Sequence, residues 1–417
     1  MKAKSAPLVQ GNLWWLSRER WKDPIKFFGE VRQQLGDVVR IKTTAEDFIL
    51  LGHPSAAEHI FRVRAENYPK PKLDRALLGD GLLTSEGALW RAQRKLTAPA
   101  FSLSAIESLK PLLQSLIEPM LQSWSDGTVN VTAPLRQLVL DFVVRGFFHF
   151  ELGERLIAVD QDLQELMALG RMRNHYLFGA YYRRGYQKKI HRLRVRRFRD
   201  RIGDMLEHQN DPDSLFGHWR MAGEFSRKQL EDMAATVIIA AYETTGSLLS
   251  WAFYLLAQHE DFQSALRSEL AKVAPDNSVS LAQFIDETMR LYPPAWLFGR
   301  EAVETDEIDG YVIPKGTRVT LSAYHIHRDP RFWEKPDEFR PDRFSEINAR
   351  PKMAFLPFGG GTRHCPGSAM AYWETKLIVA EALKRFHFRP GGEVVPEPLL
   401  TLRPKGGVRV RASRIES

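Results

Sequence analysis

One ten-residue segment restricts this chain more than any other: Phe358-Gly359-Gly360-Gly361-Thr362-Arg363-His364-Cys365-Pro366-Gly367. Its run of glycines admits backbone with positive φ and lets main chain come close to something flat or bulky. A stretch with helical spacing, residues 368–385, follows at once. Cys365 therefore stands just ahead of a helix start, where free amide N–H groups and the helix dipole favour a thiolate. Pro366 suits an early helical position, and Arg363 places a permanent cation two residues before the sulfur. Cys365 is also the only cysteine among 417 residues. Internal disulfides, cysteine-rich zinc sites and protein-ligated iron–sulfur clusters are thereby excluded. A lone cysteine is by default a small buried hydrophobe. On these residues alone that default stays open beside a thiolate held in a tight loop by amide donors and a cation.

The rest of the chain reads as one continuous catalytic domain, residues 1–417, without a linker, repeat or low-complexity tract. Three parts carry β signals, residues 36–52, 299–324 and 399–411, with turns expected at Asp309-Gly310 and around Gly316. The remainder is helical, giving a mainly α fold with a small β part. Helical spacing covers residues 54–64, 105–123, 132–148, 183–206 and 281–291, the last stopped by Pro293-Pro294. Ser226 with Gln229 forms a capping-box signature ahead of a long apolar helix ending near Gln258. Residues 233–257 are long enough to cross a bilayer, but Tyr242, Glu243, Thr244, Thr245, Gly246 and Ser247 interrupt their middle, so the segment reads as a helix buried in protein. With no apolar N-terminal stretch either, we expect no transmembrane anchor and a cytoplasmic, monomeric protein. The charge balance is 59 Lys and Arg against 51 Asp and Glu, a net +8. Its densest basic run, residues 183–201, reads as a solvated helix face. No recognition motif accompanies it, so no nucleic-acid partner is expected.

The cysteine segment resembles the haem-binding loop of the cytochrome P450 family, F-G-x-G-x-R-x-C-x-G, at every specified position. At roughly one in twenty per position, a chance match in this chain is on the order of one in a hundred thousand. The resemblance implies the P450 fold, with haem b between the long central helix and the cysteine-side helix. It makes Cys365 the axial thiolate, which pushes electron density onto iron and favours O–O cleavage. It also implies that Phe358 packs near the sulfur, that Gly359 is a cofactor-binding position and that Arg363 meets a haem propionate.

Further motifs follow in family order. Trp90-x-x-x-Arg94 matches the helix whose Arg binds a propionate, and Arg300 is another candidate for that role. Glu287-Thr288-Met289-Arg290 is an E-x-x-R whose members share a helix face. Arg343, in Pro336-x-x-Phe339-x-Pro341-x-Arg343-Phe344, would join them in a structural network. His327 also fits a family pattern and carries no chemistry here. Ala240-Ala241-Tyr242-Glu243-Thr244-Thr245 resembles the oxygen-activation segment, with Ala241 where the family usually has Gly. The plain alternative for it is a Thr back-bonded to its own helix beside a surface Glu; the functional one is a proton relay through Thr244 and Glu243.

By the same resemblance, the substrate pocket would be walled by Ala240, Ala241, Thr244, Ala295, Trp296, Leu297, Phe298 and Leu400, a largely apolar set that suits a lipophilic substrate or, equally, ordinary core. Residues 290–296 resemble bacterial oxidases of terpenoids and carotenoids; fatty acids and other natural products stay open. The implied reaction inserts one atom of O2, with electrons from NAD(P)H passed through a reductase and a ferredoxin or flavodoxin. Arg350, Lys352, Arg363 and Lys384 form a candidate cationic docking surface. No fused reductase is expected. The alternatives are a haem-thiolate peroxygenase or isomerase, which would not need the Glu243–Thr244 pair, and a haem-based sensor or lipid-binding protein without turnover.

Overall fold

The computed structural model describes residues 4–43, 46–71, 79–173, 186–207, 211–345 and 350–415. Its axis is a helix of 32 residues, Arg227–Gln258, about 48 Å long at 1.5 Å per residue. The capping box is formed: Ser226 accepts the N–H of Gln229, and the Gln229 side chain accepts the N–H of Ser226. Apolar residues occur all round this helix, because helices and strands cover most of its surface. Thr132–Phe148, Val279–Leu291 and Ser368–Arg385 all pack on it. Their apolar faces form the largest core, with Phe142, Leu249, Phe253, Phe284 and Ile378 fully enclosed. Among the described residues no helix is long and apolar enough to cross a membrane.

The β elements lie at the rim. β1 (Lys4–Ser5) runs parallel to β7 (Tyr311–Ile313), which pairs antiparallel with β6 (Asp306–Ile308). Asp309 and Gly310 turn that hairpin with φ of 48° and 81°, the two left-handed residues that a tight hairpin turn demands. The main sheet has the order β2 (Val38–Lys42), β3 (Asp47–Leu51), β8 (Arg318–Ser322), β5 (Leu297–Glu301). A third sheet joins β4 (Gly127–Asn130), β12 (Arg409–Arg414) and β9 (Phe386–Pro390), and β10 (Pro396–Pro398) pairs with β11 (Leu402–Pro404).

Two segments depart from their expected form. Residues 105–123 are not one helix but two, Leu103–Ser108 and Lys110–Gln122. Pro111, without an N–H, cannot continue the first helix's ladder and instead opens the second. Residues 54–64 start as α-helix (Pro54–Glu58) and continue as a π turn, His59–Val63. The basic helix is Tyr186–Glu207, so residues 183–185 of the expected run lie outside the described residues. Arg196 and Arg197 are exposed, as expected of a solvated face, but three other arginines are held by carboxylates. Arg194 pairs with Glu165 at 3.0 Å, Arg201 with Asp162 at 2.7 Å, and Arg199 with the fully buried Asp232.

Behind the cysteine loop, Glu287 and Arg290 are both completely buried and paired through two bonds of 2.7 and 2.8 Å. Arg343 Nε donates to Glu287 Oε1 at 3.2 Å, and the Arg340 amide donates to the same oxygen at 2.7 Å. The rest of the Arg290 guanidinium is used up by the carbonyls of His327, Pro336 and Glu338. A buried charge network survives only when satisfied to this degree. It pins the loop 334–343 under the helix Val279–Leu291. His327 is fully buried too, accepts the Leu356 N–H at 3.0 Å, and is held neutral because burial pushes its pKa down to about 3.

Candidate functional site

The cysteine loop is closed by its own main chain. Cys365 N–H donates to Phe358 O, Gly359 N–H to Leu356 O and His364 N–H to Gly361 O, each at 3.1 Å. Gly359 and Gly361 have φ of 69° and 65°, conformations that favour glycine. At Gly361 a side chain is also excluded by contact, since a Cβ there would lie 1.7 Å from the carbonyl oxygen of Phe61. The π turn His59–Val63 thus presses on the loop from outside. Tilted by 47°, the Phe358 ring lies 5.6 Å from that of Tyr372 on the helix that starts at Ser368.

Cys365 keeps part of its surface accessible, yet enough protein surrounds it that burial pushes its thiol pKa up. The Gly367 N–H and the positive charges of Arg94 and Lys70 pull the other way. The amide donor expected from the helix start is therefore present but does not outweigh desolvation. A cation at the sulfur would complete the stabilisation of a thiolate.

Trp90 and Arg94, on the helix Gly87–Thr97, come to the same place. Arg363 lies over the Trp90 ring, 3.9 Å from its centroid, and Arg94 is close enough to lower the Arg363 pKa, although burial is the larger cause. Arg363 Nη2 donates to Ser85 O at 2.9 Å and to the carboxylate of Glu86. Its Nη1 is buried without a partner. Arg94 has no hydrogen-bond or ion-pair partner among the described residues, and burial lowers its pKa. Two half-buried guanidiniums with open donors call for an anion between them. Arg300 stands on the Phe61 ring at 5.0 Å and donates to Gly299 O at 2.7 Å.

On the central helix, every residue from Asp232 to Phe253 is buried except Ala240, Ala241 and Thr244. At positions i, i+1 and i+4 they form one accessible patch on one helix face. Thr244 Oγ donates to Ala240 O at 2.6 Å, the back-bond that was the plain alternative for this residue. Glu243 faces elsewhere. It is 4 % exposed, accepts from Thr401 Oγ at 2.9 Å through Oε1, and leaves Oε2 without a partner.

The remaining wall residues divide. Phe298 stands edge-on to Phe61 at 5.6 Å and would be 3.4 Å from a Cβ on Gly359, so it borders the cysteine loop. Ala295 and Leu297 are partly accessible, and Leu400 is 53 % exposed. Trp296 goes to the core instead of the wall. Its ring stacks on Phe28, and its N–H is taken by Leu399 O at 2.9 Å. The expected docking surface is also thinner than four cations. Arg363 is turned inward, and Arg350 lies on Trp333 at 4.3 Å and donates to Arg343 O. Lys352 and Lys384 remain exposed.

The sequence reading passed over Glu86, which holds Arg363, and Thr401, which holds Glu243. It also passed over Glu374, a fully enclosed carboxyl on the cysteine-side helix that bonds Thr245 of the central helix. Burial pushes the Glu374 pKa up to about 8, so it is neutral below that pH.

These features suit an iron porphyrin: a lone sulfur with an amide donor, a glycine cradle, two cations with open donors, and a small-residue face. No group of three or more His, Cys, Asp or Glu that could hold a metal occurs among the described residues.

Comparison with known proteins agrees. The family profile described as Cytochrome P450 matches residues 3–410. Cytochrome P450 132 of Mycobacterium tuberculosis is 31 % identical, over 93 % of this chain and 92 % of its own. Cyclooctatin synthase of Streptomyces melanosporofaciens is 27 % identical, over 91 % and 89 %. In structure, the retinoic acid-bound cyanobacterial CYP120A1 superposes with a TM-score of 0.87 over 99 % of this chain and 100 % of its own, at 23 % identity, which speaks to the fold. The chain belongs to the cytochrome P450 family of haem-dependent monooxygenases.

Proposed function

We propose that Cys365 ligates the haem iron, that Arg94 and Arg363 hold the propionates, and that the enzyme oxidises a C–H bond of a lipophilic, isoprenoid-like substrate. The observation that carries this reading is the accessible Ala240–Ala241–Thr244 patch on an otherwise buried helix. It presents methyl groups with a single hydroxyl, a surface that binds apolar carbon and offers one polar contact. The neighbour of like fold is described as binding retinoic acid, an apolar polyene with one carboxylate. Fatty acids fit the same wall and are the second class to screen.

Haem supplies the oxygen-activating chemistry when bound, and the chain's own residues set the conditions for it. The Thr244 hydroxyl proton is committed to the Ala240 carbonyl, so its lone pairs face the patch. In this geometry Thr244 accepts a hydrogen bond and positions a proton donor. Glu243 lies on the adjacent helix position and is the group that takes protons from solvent and passes them on. Ala241 adds a methyl where the family usually has Gly, narrowing the groove beside Thr244. Electrons come from a separate acidic ferredoxin or flavodoxin that docks over Lys352 and Lys384; electron transfer should then slow as salt is raised. A reducing cytoplasm suits the single thiol, and we propose that the enzyme works there as a monomer.

Thr244→Ala tests the relay. The variant should bind substrate with unchanged affinity and divert most electrons to hydrogen peroxide. Unchanged coupling of electron use to product would remove Thr244 from the mechanism.

A further inference from the structure

Glu86 stands at the N-cap position of the helix Gly87–Thr97, yet its side chain makes no cap bond to that helix. A carboxylate there could serve the helix's free amides and its dipole. It is turned instead to two donors from outside the helix: Oε1 accepts the Lys70 N–H at 2.9 Å, and Oε2 accepts Arg363 Nη2. The same Nη2 reaches Ser85 O at 2.9 Å. The backbone beneath both acceptors is fixed. Ser85 Oγ donates to Gln93 Oε1 at 2.5 Å, Gln93 Nε2 donates to Asp80 O at 2.7 Å, and the Asp80 N–H donates to the buried Asp232 at 2.9 Å. The Trp90 ring covers one face of the Arg363 guanidinium. Glu86, Ser85 and Trp90 thus fix the guanidinium and leave Nη1, buried and unpartnered, as a donor still to be used.

Arg363 therefore does not present a full positive charge. A carboxylate offsets it within hydrogen-bond distance, whereas Arg94 has no hydrogen-bond or ion-pair partner among the described residues. Propionates held by the two arginines meet one open cation and one already offset. Negative charge near a haem iron favours its oxidised state, because reduction brings one more electron into the same region. We propose that Glu86 is a positioning residue for the haem: it holds Arg363 so that Nη1 is free for a propionate, and by offsetting that cation it keeps the iron harder to reduce. Glu86 has this role only if Arg363 holds a propionate, and the experiment keeps the two apart.

The first arm reads charge. Glu86→Gln removes the negative charge and keeps the shape and one acceptor, and the side chain is only half-buried, so the core is left intact. In the haem-loaded, substrate-free protein, spectroelectrochemical titration should show the ferric–ferrous equilibrium moved toward ferrous by about three- to tenfold, the effect of one unit charge in partly buried surroundings. For a one-electron couple that is a rise of about 30–60 mV. A potential equal to the parent's would overturn the proposal.

The second arm reads position, by the rate of haem transfer to apomyoglobin. Glu86→Ala frees the Arg363 side chain and should speed transfer about three- to tenfold, while Glu86→Gln, which keeps an acceptor, should stay within about twofold of the parent. In the Arg363→Ala background, Glu86→Ala should speed transfer no further, because it acts through that arginine. If Arg363→Ala speeds transfer and Glu86→Ala does not, Arg363 needs no carboxylate to hold a propionate and the positioning role is wrong. If Arg363→Ala itself leaves the rate unchanged, the reading of Arg363 fails and Glu86 loses its role with it, whatever the potential shows.

Discussion

Glu287 is where a single substitution should cost the fold most. Its carboxylate takes four donors: two from Arg290, one from Arg343 and the Arg340 amide. Glu287→Ala leaves the Arg290 guanidinium, 0 % exposed, and the Arg343 guanidinium, 7 % exposed, without a counter-charge. It also strands a main-chain N–H. Removing one partner of a buried pair costs about 3–5 kcal/mol. Here both cations lose their only carboxylate at bonding distance among the described residues, so the upper half of that range applies. Against a total stability of about 5–15 kcal/mol, the variant should yield little soluble protein, with its thermal midpoint lowered by many degrees. Glu287→Gln keeps the shape and one acceptor and should fall between. The assay is the midpoint of unfolding together with the haem-to-protein ratio. A Glu287→Ala protein that purifies with full haem and loses less than about 1 kcal/mol would show that the network is dispensable, and would refute the argument from burial.

Two further outcomes follow from the site. If Arg94 and Arg363 hold the propionates as proposed, Arg94→Ala and Arg363→Ala each remove a charge-assisted contact, about 1.5–3 kcal/mol. Transfer of haem to apomyoglobin should then speed up by about 10- to 100-fold, and an unchanged rate would remove that arginine from the haem site. Glu374 carries a pH dependence. Its pKa is 4.5 in the unfolded chain and about 8 in the fold, so unfolding releases a proton between those values. The stability it contributes is fully present below about pH 4.5, falls as pH rises, and falls no further above about pH 8. Glu374→Gln should flatten that slope in denaturant titrations at pH 5, 7 and 8.5; a slope identical to the parent's would mean that Glu374 is ionised in the folded protein.

Much of this was legible in the sequence because it depends on local chemistry. The helix Thr132–Phe148 and the cysteine-side helix Ser368–Arg385 have the bounds their spacing predicts, and the capping box at Ser226 is formed. The E-x-x-R pair and Arg343 meet as the motifs implied. What was not legible depends on tertiary neighbours. β4 and β9 exist because β12 pairs with both; β4 shows no alternation, and β9 offers only the three residues Phe386-His387-Phe388. Trp296 looked like pocket wall and is core, because Phe28 and the Leu399 carbonyl, far away in sequence, capture its two faces of chemistry. Arg350 and Arg363 looked like surface charge and lie inward, since an arginine in sequence does not announce an aromatic ring to cover it. Glu86 and Thr401 belong to no motif. They matter only because the fold brings them to Arg363 and Glu243.

The central claim is that Cys365, as thiolate, holds a haem iron. The absorption spectrum of the dithionite-reduced, carbon monoxide-bound protein tests it most directly. The structure predicts the strongly red-shifted Soret band of thiolate-ligated haem, lost in Cys365→His. A band at the shorter wavelength of imidazole-ligated haem in the parent protein, or no haem band from well-folded protein, would contradict it.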